Sequence, residues 1–271
     1  MRPAGKLVIL FLFSAANISF SQTPYGNNPQ AGKYVSVNGI WMYYEIYGNG
    51  MPLLLLHGNG GSIRGHAQRI EFFSRKYKVI AVDSRAHGKT IDSTSVLTYE
   101  MMAKDIHDLL DTLGIDSAYV WGQSDGGILA LLLAANSPEK VRKAAGFGVN
   151  IRPDSTAILP ELISLAQETL RNSRDKTERQ HMSLVLNHPH ISLDTLRQIH
   201  APFLVMSGDR DAIQLEHSIE IFRNIPQGFL FVMPASTHFG VYEHPEWFNM
   251  ILDDFFQKPL RPVTTFEKFT H

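Results

Sequence analysis

The chain has 271 residues, of which 44% are apolar and 19% charged, and a formal net charge of −1 at pH 7. That balance is ordinary for a globular protein and gives no electrostatic footprint for a nucleic-acid partner or an anionic membrane surface. The chain has no cysteine, which excludes a disulfide framework, a thiol nucleophile and a lipid-modified N-terminal cysteine.

At the N-terminus, Arg2 and Lys6 precede the apolar run Leu7 to Phe13, and Ser19-Phe20-Ser21 supplies small residues where a signal peptidase reads. This order of charge, apolar core and small residues predicts a signal peptide over residues 1–21, cleaved after Ser21, and a secreted or periplasmic protein. The alternative is a buried N-terminal helix. The apolar core is too short for a permanent membrane anchor, and no second stretch of spanning length follows. Residues 22–34, rich in Pro, Gly and Asn, read as a linker. The main domain is expected over 35–258, with a C-terminal tail over 259–271.

Within that domain, Val35 to Val37 and Ile40 to Tyr47 predict an antiparallel pair turned by Asn38-Gly39. Short apolar runs then recur at Pro52–Leu56, Lys78–Val82, Ser117–Trp121, Ala144–Val149, Phe203–Met206 and Phe229–Met233, the mark of strands buried on both faces. Helical spacing lies between them. Tyr99 to Leu113 carries a stripe of Met102, Ile106, Leu109, Leu110 and Leu113, with Thr98 as N-cap and Gly114 as stop. Gly126 to Ala135 is apolar nearly all round and predicts a buried helix, and Leu215–Phe222 and Pro245–Phe256 predict two more. The alternation predicts an α/β fold: a mostly parallel sheet of about eight strands with helices on both faces. Residues 151–200 break it with two helical patterns, Ala157–Leu170 and Thr177–Leu186, and no strand, which predicts a small helical cap.

The run Gly122-Gln123-Ser124-Asp125-Gly126 sits between an apolar strand and an apolar helix. In that setting G-x-S-x-G is a nucleophile elbow: a strained turn exposes the Ser124 hydroxyl above the carboxyl edge of the sheet, at a helix N-terminus. A serine hydroxyl needs a base and a group that orients the base. His238, after the last predicted strand and before the final helix, is the best candidate base among twelve histidines. For the acid, Asp209 and Asp211 compete; Asp211 is favoured because the loop must run past its strand to reach behind His238, leaving Asp209 to brace the loop. An oxyanion hole needs two convergent N–H groups. Asp125, which follows the nucleophile, supplies one, and Asn59 in the loop His57-Gly58-Asn59-Gly60-Gly61 supplies the other. That loop, taken alone, could also cradle phosphate, but it lacks both the Lys-Ser/Thr ending of a P-loop and the G-x-G-x-x-G order.

Together these residues resemble the α/β-hydrolase fold superfamily, in the branch of serine esterases, lactonases, haloperoxidase-like enzymes and carbon–carbon hydrolases. The resemblance covers roughly Val35 to Phe256 and includes His57-Gly58, the turn Asp83-Ser84-Arg85-Ala86-His87-Gly88, the elbow, Gly208-Asp209-Arg210-Asp211 and His238. In that family the acid is the second aspartate of the Gly-Asp-Arg-Asp run, which implies Asp211. Serine at the nucleophile position sets aside the epoxide hydrolases and dehalogenases of this fold, which use aspartate there. Two positions depart from the pattern. Ala86 stands where glycine is usual, and Asp125 stands where an apolar residue is commoner, so either its carboxylate points away from a developing oxyanion or the site differs from that of a plain esterase. The expectation is a secreted serine hydrolase acting on an ester or related acyl bond of a small molecule. Lactone or carbon–carbon hydrolysis is the alternative; a lyase, a haloperoxidase-like activity or a ligand-binding member comes after it. No metal-ligand spacing is visible and no cofactor is expected. Ile158, Leu159, Leu162, Ile163 and Leu165 of the cap either roof an apolar pocket or pack the cap onto the core.

Overall fold

The computed structural model describes residues 23–92, 94, 96–260 and 262–270. The signal-peptide reading and its Ser21 cleavage point lie outside these residues. The chain opens with β1 (Gly32–Val37) and β2 (Ile40–Tyr47), then β3 (Met51–Leu56), α1 (Ala67–Phe73), β4 (Tyr77–Val82), α2 (Tyr99–Thr112), β5 (Ala118–Gln123), α3 (Asp125–Asn136) and β6 (Val141–Phe147). Three helices follow without a strand: α4 (Pro160–Asn172), α5 (Lys176–Asn187) and α6 (Leu193–Arg197). The chain then returns through β7 (Phe203–Arg210), α7 (Leu215–Asn224), β8 (Gly228–Thr237), α8 (Gly240–Glu243), α9 (Pro245–Gln257) and α10 (Thr265–Thr270).

The eight strands form one sheet in the order β1-β2-β4-β3-β5-β6-β7-β8. β1 and β2 pair antiparallel around Asn38-Gly39, where φ is +41° and +79°, the positive values that a tight hairpin turn requires. β2 joins β4 antiparallel, and every pairing from β4 to β8 is parallel. β1 starts at Gly32, inside the stretch expected to be a linker. Ahead of it, the buried Glu45 carboxylate accepts from the N–H groups of Gly26 and Asn28 at 2.8 and 2.9 Å, fastening that segment to the sheet.

Side-chain alternation along β3 divides the core in two. Leu54 and Leu56 face α2 and α3, packing in one cluster with Met102, Ile106 and Leu129. Leu53 and Leu55 face α1 and α9, in a second cluster with Ile70, Phe73, Phe248 and Leu252. A strand covered on both sides needs a continuous apolar run, which is why Leu53-Leu54-Leu55-Leu56 reads without polar interruption. α3 is buried from Asp125 to Ala134, in keeping with its unbroken apolar sequence. Among the described residues no helix is long and apolar enough to cross a membrane.

Two boundaries differ from the sequence reading in ways that matter. β7 and β8 run on past Met206 and Met233 to Arg210 and Thr237. The ends of these strands carry no apolar run, yet they continue the β7–β8 ladder beyond its neighbours. The cap holds a third helix, α6, too short for periodicity to show; the Ser192 side chain caps it by accepting from the Thr195 N–H.

Candidate active site

Ser124 lies between the end of β5 and the start of α3 with φ +52° and ψ −120°, a backbone conformation an L-residue adopts only under constraint. The constraint comes from close packing on both sides. A Cβ at Gly122 would fall 2.0 Å from the Gly126 carbonyl oxygen, and one at Gly126 would fall 2.1 Å from that of Leu56. Only glycine fits either place, so the spacing of the motif follows from the approach of α3 to β3 and β5. The Ser124 N–H donates to the Phe147 carbonyl at 2.8 Å, tying the turn to β6.

β7 and β8 bring the second pair of residues together. Their ladder loses register between Gly208 and Arg210 and closes with Arg210 paired to Thr237. Asp211 and His238 come next on each strand, and His238 Nδ1 lies 2.7 Å from Asp211 Oδ1. The Asp211 side chain is fully buried. Its carboxylate also accepts from the N–H groups of Gly208 at 3.2 Å and Ile213 at 3.0 Å. The His238 side chain is about one-fifth exposed, and its carbonyl accepts from Gln123 Nε2 at 3.3 Å, which links the His238 loop to the residue before Ser124. Asp209, two residues before Asp211, points elsewhere: its Oδ1 accepts from the Ser236 N–H at 3.1 Å. The backbone donors of Ser236 and Ala235 hold its carboxyl below the usual carboxylate range.

Ser124 and His238 line one cavity of about 140 Å³, together with Asn59, Tyr99, Asp125, Asn150, Ala212 and Ile213. The cap contributes Ile158, Leu162, Ile163, Val185 and Leu186 to its walls. Of the five cap residues singled out in the sequence, Ile158, Leu162 and Ile163 reach the cavity; Leu159 and Leu165 are exposed and do not line it.

Asn59 and Asp125 also lie together. The Asn59 amide Nδ2 donates to Asp125 Oδ2 at 2.9 Å, and the Tyr99 hydroxyl donates to Asp125 Oδ1 at 2.9 Å. Burial raises the Asp125 carboxyl above its ordinary range, against the opposing effect of these two donors. As the first residue of α3, Asp125 has an N–H with no partner inside the helix. The Asn59 N–H likewise donates to no protein acceptor among the described residues.

Sequence reasoning missed Tyr99, which read only as the first residue of a helix, and Gly148. At Gly148 φ is +61° and a Cβ would fall 2.6 Å from His238 Cε1, so the absence of a side chain makes room for the imidazole. Neither has a local signal, because each is defined by a partner more than twenty residues away. Among the described residues no group of three or more His, Cys, Asp or Glu could hold a metal ion.

The sheet order, the elbow and the two late strands define the α/β-hydrolase fold, and a family described by that name matches residues 51–162. The chain has the α/β-hydrolase fold. It is 27% identical to a 2-hydroxy-6-oxononadienedioate/2-hydroxy-6-oxononatrienedioate hydrolase of Burkholderia vietnamiensis, over 83% of this chain and 96% of that protein. It is 25% identical to the serine hydrolase BPHL of Homo sapiens, over 86% of this chain and 88% of that one. Among solved structures, the enol-lactonase of Burkholderia xenovorans LB400 superposes with a TM-score of 0.74 at 20% identity, covering 83% of this chain and all of the other.

Proposed function

We propose that the chain is an exported serine hydrolase that cleaves an ester bond of a small uncharged substrate through an acyl-enzyme. Ser124 is the nucleophile and His238 the base. Asp211 orients the base, and the N–H groups of Asn59 and Asp125 receive the oxyanion. One observation carries this reading: a serine on a strained strand-to-helix turn opens onto the same cavity as a histidine whose Nδ1 is 2.7 Å from a buried carboxylate. With Nδ1–H donated to Asp211, Nε2 is left as the basic nitrogen. It takes the Ser124 proton as the hydroxyl attacks the carbonyl, then delivers it to the departing alcohol. Water enters afterwards and gives a proton to the same nitrogen as its oxygen bonds to the acyl carbon; that proton then passes to the Ser124 oxygen as its bond to the acyl carbon breaks and the acid leaves. Each oxyanion donor in such a site is worth about 2.7–4 kcal/mol of transition-state stabilisation.

The charge of the cavity favours an ester over the carbon–carbon bond of a dienedioate, the substrate in the name of the Burkholderia vietnamiensis relative. Asp125 lines the cavity, while among the described residues no lysine or arginine does. A dicarboxylate would meet a buried carboxylate with no cation to balance it, which is costly.

Replacement of Ser124 by Ala tests the reading. Hydrolysis of p-nitrophenyl butyrate and labelling by a fluorophosphonate probe should both disappear, and labelling that survives refutes it. The acyl preference is tested on p-nitrophenyl esters of butyrate and hemiglutarate: turnover should strongly favour the uncharged acyl group, and equal turnover overturns the charge argument. Export is tested by N-terminal sequencing of protein recovered outside the cytoplasm, where Gln22 should be the first residue.

A further inference from the structure

The two donors assigned to the oxyanion differ in how firmly the fold holds them. Asp125 begins α3, a helix buried from Asp125 to Ala134. Asn59 belongs to a loop flanked by Gly58, Gly60 and Gly61, with φ +65° at Gly60, where the backbone has unusual freedom. A hole formed by one fixed and one freely hinged donor would lose preorganisation, the source of its effect. The side chains of these same two residues bond to each other across the gap. Asp125 Oδ2 takes the Asn59 amide at 2.9 Å, Asp125 Oδ1 takes the Tyr99 hydroxyl at 2.9 Å, and Tyr99 is buried on α2. Both carboxylate oxygens are thereby occupied by donors on the loop and on α2. This burial is otherwise unfavourable, because neither donor is a cation. The Asn59 amide also approaches the His181 carbonyl of α5 at 3.4 Å, so the loop touches the cap at the same atom.

We propose that Asn59, Asp125 and Tyr99 form a side-chain clamp that fixes the distance between the two oxyanion donors. Asp125 and Tyr99 are then positioning residues that act through the Asn59 loop. The inference rests on the reading of Ser124 as nucleophile and of both N–H groups as oxyanion donors. The Asn59 backbone N–H survives any side-chain replacement, so substitutions there probe the clamp and leave the donor in place.

The test is kinetic, on p-nitrophenyl butyrate, with thermal melts to verify folding. Asn59→Ala should lower kcat by roughly 10- to 100-fold, below the full cost of losing a donor, with KM changed by less than about threefold. Tyr99→Phe keeps the ring and should lower kcat by roughly three- to tenfold for one hydrogen bond lost at a distance. Asn59→Asp sets two carboxylates together and should be at least as impaired as Asn59→Ala. The double variant Asn59→Asp/Asp125→Asn restores a donor–acceptor pair with the roles exchanged, and leaves the new amide's oxygen for Tyr99. It should recover kcat to within about fivefold of the parent, a rescue that a merely structural role would not give. Unchanged kcat in Asn59→Ala, a loss confined to KM, or no rescue in the double variant overturns the clamp. Ser124→Ala run alongside separates the two claims: if it abolishes turnover while the clamp variants fail their expectations, only the clamp is wrong, whereas surviving turnover removes the reading beneath it.

Discussion

Asp211 and His238 occupy equivalent places on neighbouring strands: each is the residue after the last rung of the β7–β8 ladder, Arg210 opposite Thr237. Parallel pairing carried that far holds carboxylate and imidazole 2.7 Å apart without help from a long loop. Asp209 precedes the rung and braces the Ser236 N–H instead. Asp211→Asn should therefore reduce kcat by about 10²- to 10⁴-fold, because an amide at that point favours the wrong imidazole tautomer. Asp209→Asn should reduce it far less and should act through the loop. Parallel kinetics on the two variants check this, and equal losses would mean that the brace matters as much as the orienting bond.

Gly148 and Gly114 make a matched pair for separating strain from function. Both have φ just above +60°, but a Cβ at Gly148 would strike the His238 ring while one at Gly114 meets nothing within 4 Å. Alanine at either should cost about 1 kcal/mol of stability from the backbone conformation alone. Only Gly148→Ala should also lower kcat, by at least about tenfold, because His238 must move from its hydrogen bond. Urea midpoints and initial rates on both proteins decide it, and two variants with equal activity would show that the imidazole has room to spare.

The pattern of what the sequence revealed follows from how local each signal was. The parallel core was legible because strands covered on both faces read as continuous apolar runs, as in β3. The elbow was legible because Gly122, Ser124 and Gly126 lie within five positions of one another, even though the contact that forces Gly126 comes from Leu56 on β3. The ends of β7 and β8 were hidden: Ser207 to Arg210 and Pro234 to Thr237 mix polar residues with Gly, Pro and Ala and gave no apolar run, although strand pairing continues through them. Asp125 showed in the sequence only as an anomaly. Its partners Tyr99 and Asn59 lie 26 and 66 positions away, and only the meeting of α2, α3 and the loop after β3 explains where its carboxylate turns.

Buried imidazoles should make the protein sensitive to acid. Burial lowers His57 to about 4, where its Nε2 accepts from the Ser84 N–H at 3.0 Å and so cannot hold a proton. His87, stacked beneath His181 at 3.9 Å, is lowered too, first by burial and then by neighbouring histidines. Unfolded, each titrates near 6.5. Because the unfolded chain binds more protons below that value, stability rises with pH across the window. It is fully present above about pH 6.5 and falls by roughly 1.4 kcal/mol per unit for each such histidine as pH drops toward 4. Urea unfolding at pH 7.5, 6 and 5 should show this decline, and a flat profile would mean that the imidazoles are already charged in the folded protein.

The cap should set the length of acyl group the enzyme accepts. A cavity of about 140 Å³ holds roughly five water-sized groups, enough for a short chain. Leu162 on α4 and Leu186 on α5 form part of its apolar wall, and both belong to helices of the cap. Truncating Leu162 to Ala removes about three carbon groups from that wall while leaving Ser124, Asp211 and His238 as they are. Each methylene newly accommodated is worth up to about 0.8 kcal/mol, or roughly fourfold. The ratio of kcat/KM for octanoate over acetate p-nitrophenyl esters should therefore rise by at least about tenfold in Leu162→Ala, more in the double variant with Leu186→Ala. The rise should come from better use of long chains, with the acetate ester little changed. If the chain-length profile of both variants matches the parent, the acyl group does not lie under the cap, and the apolar wall serves the alcohol side of the substrate instead.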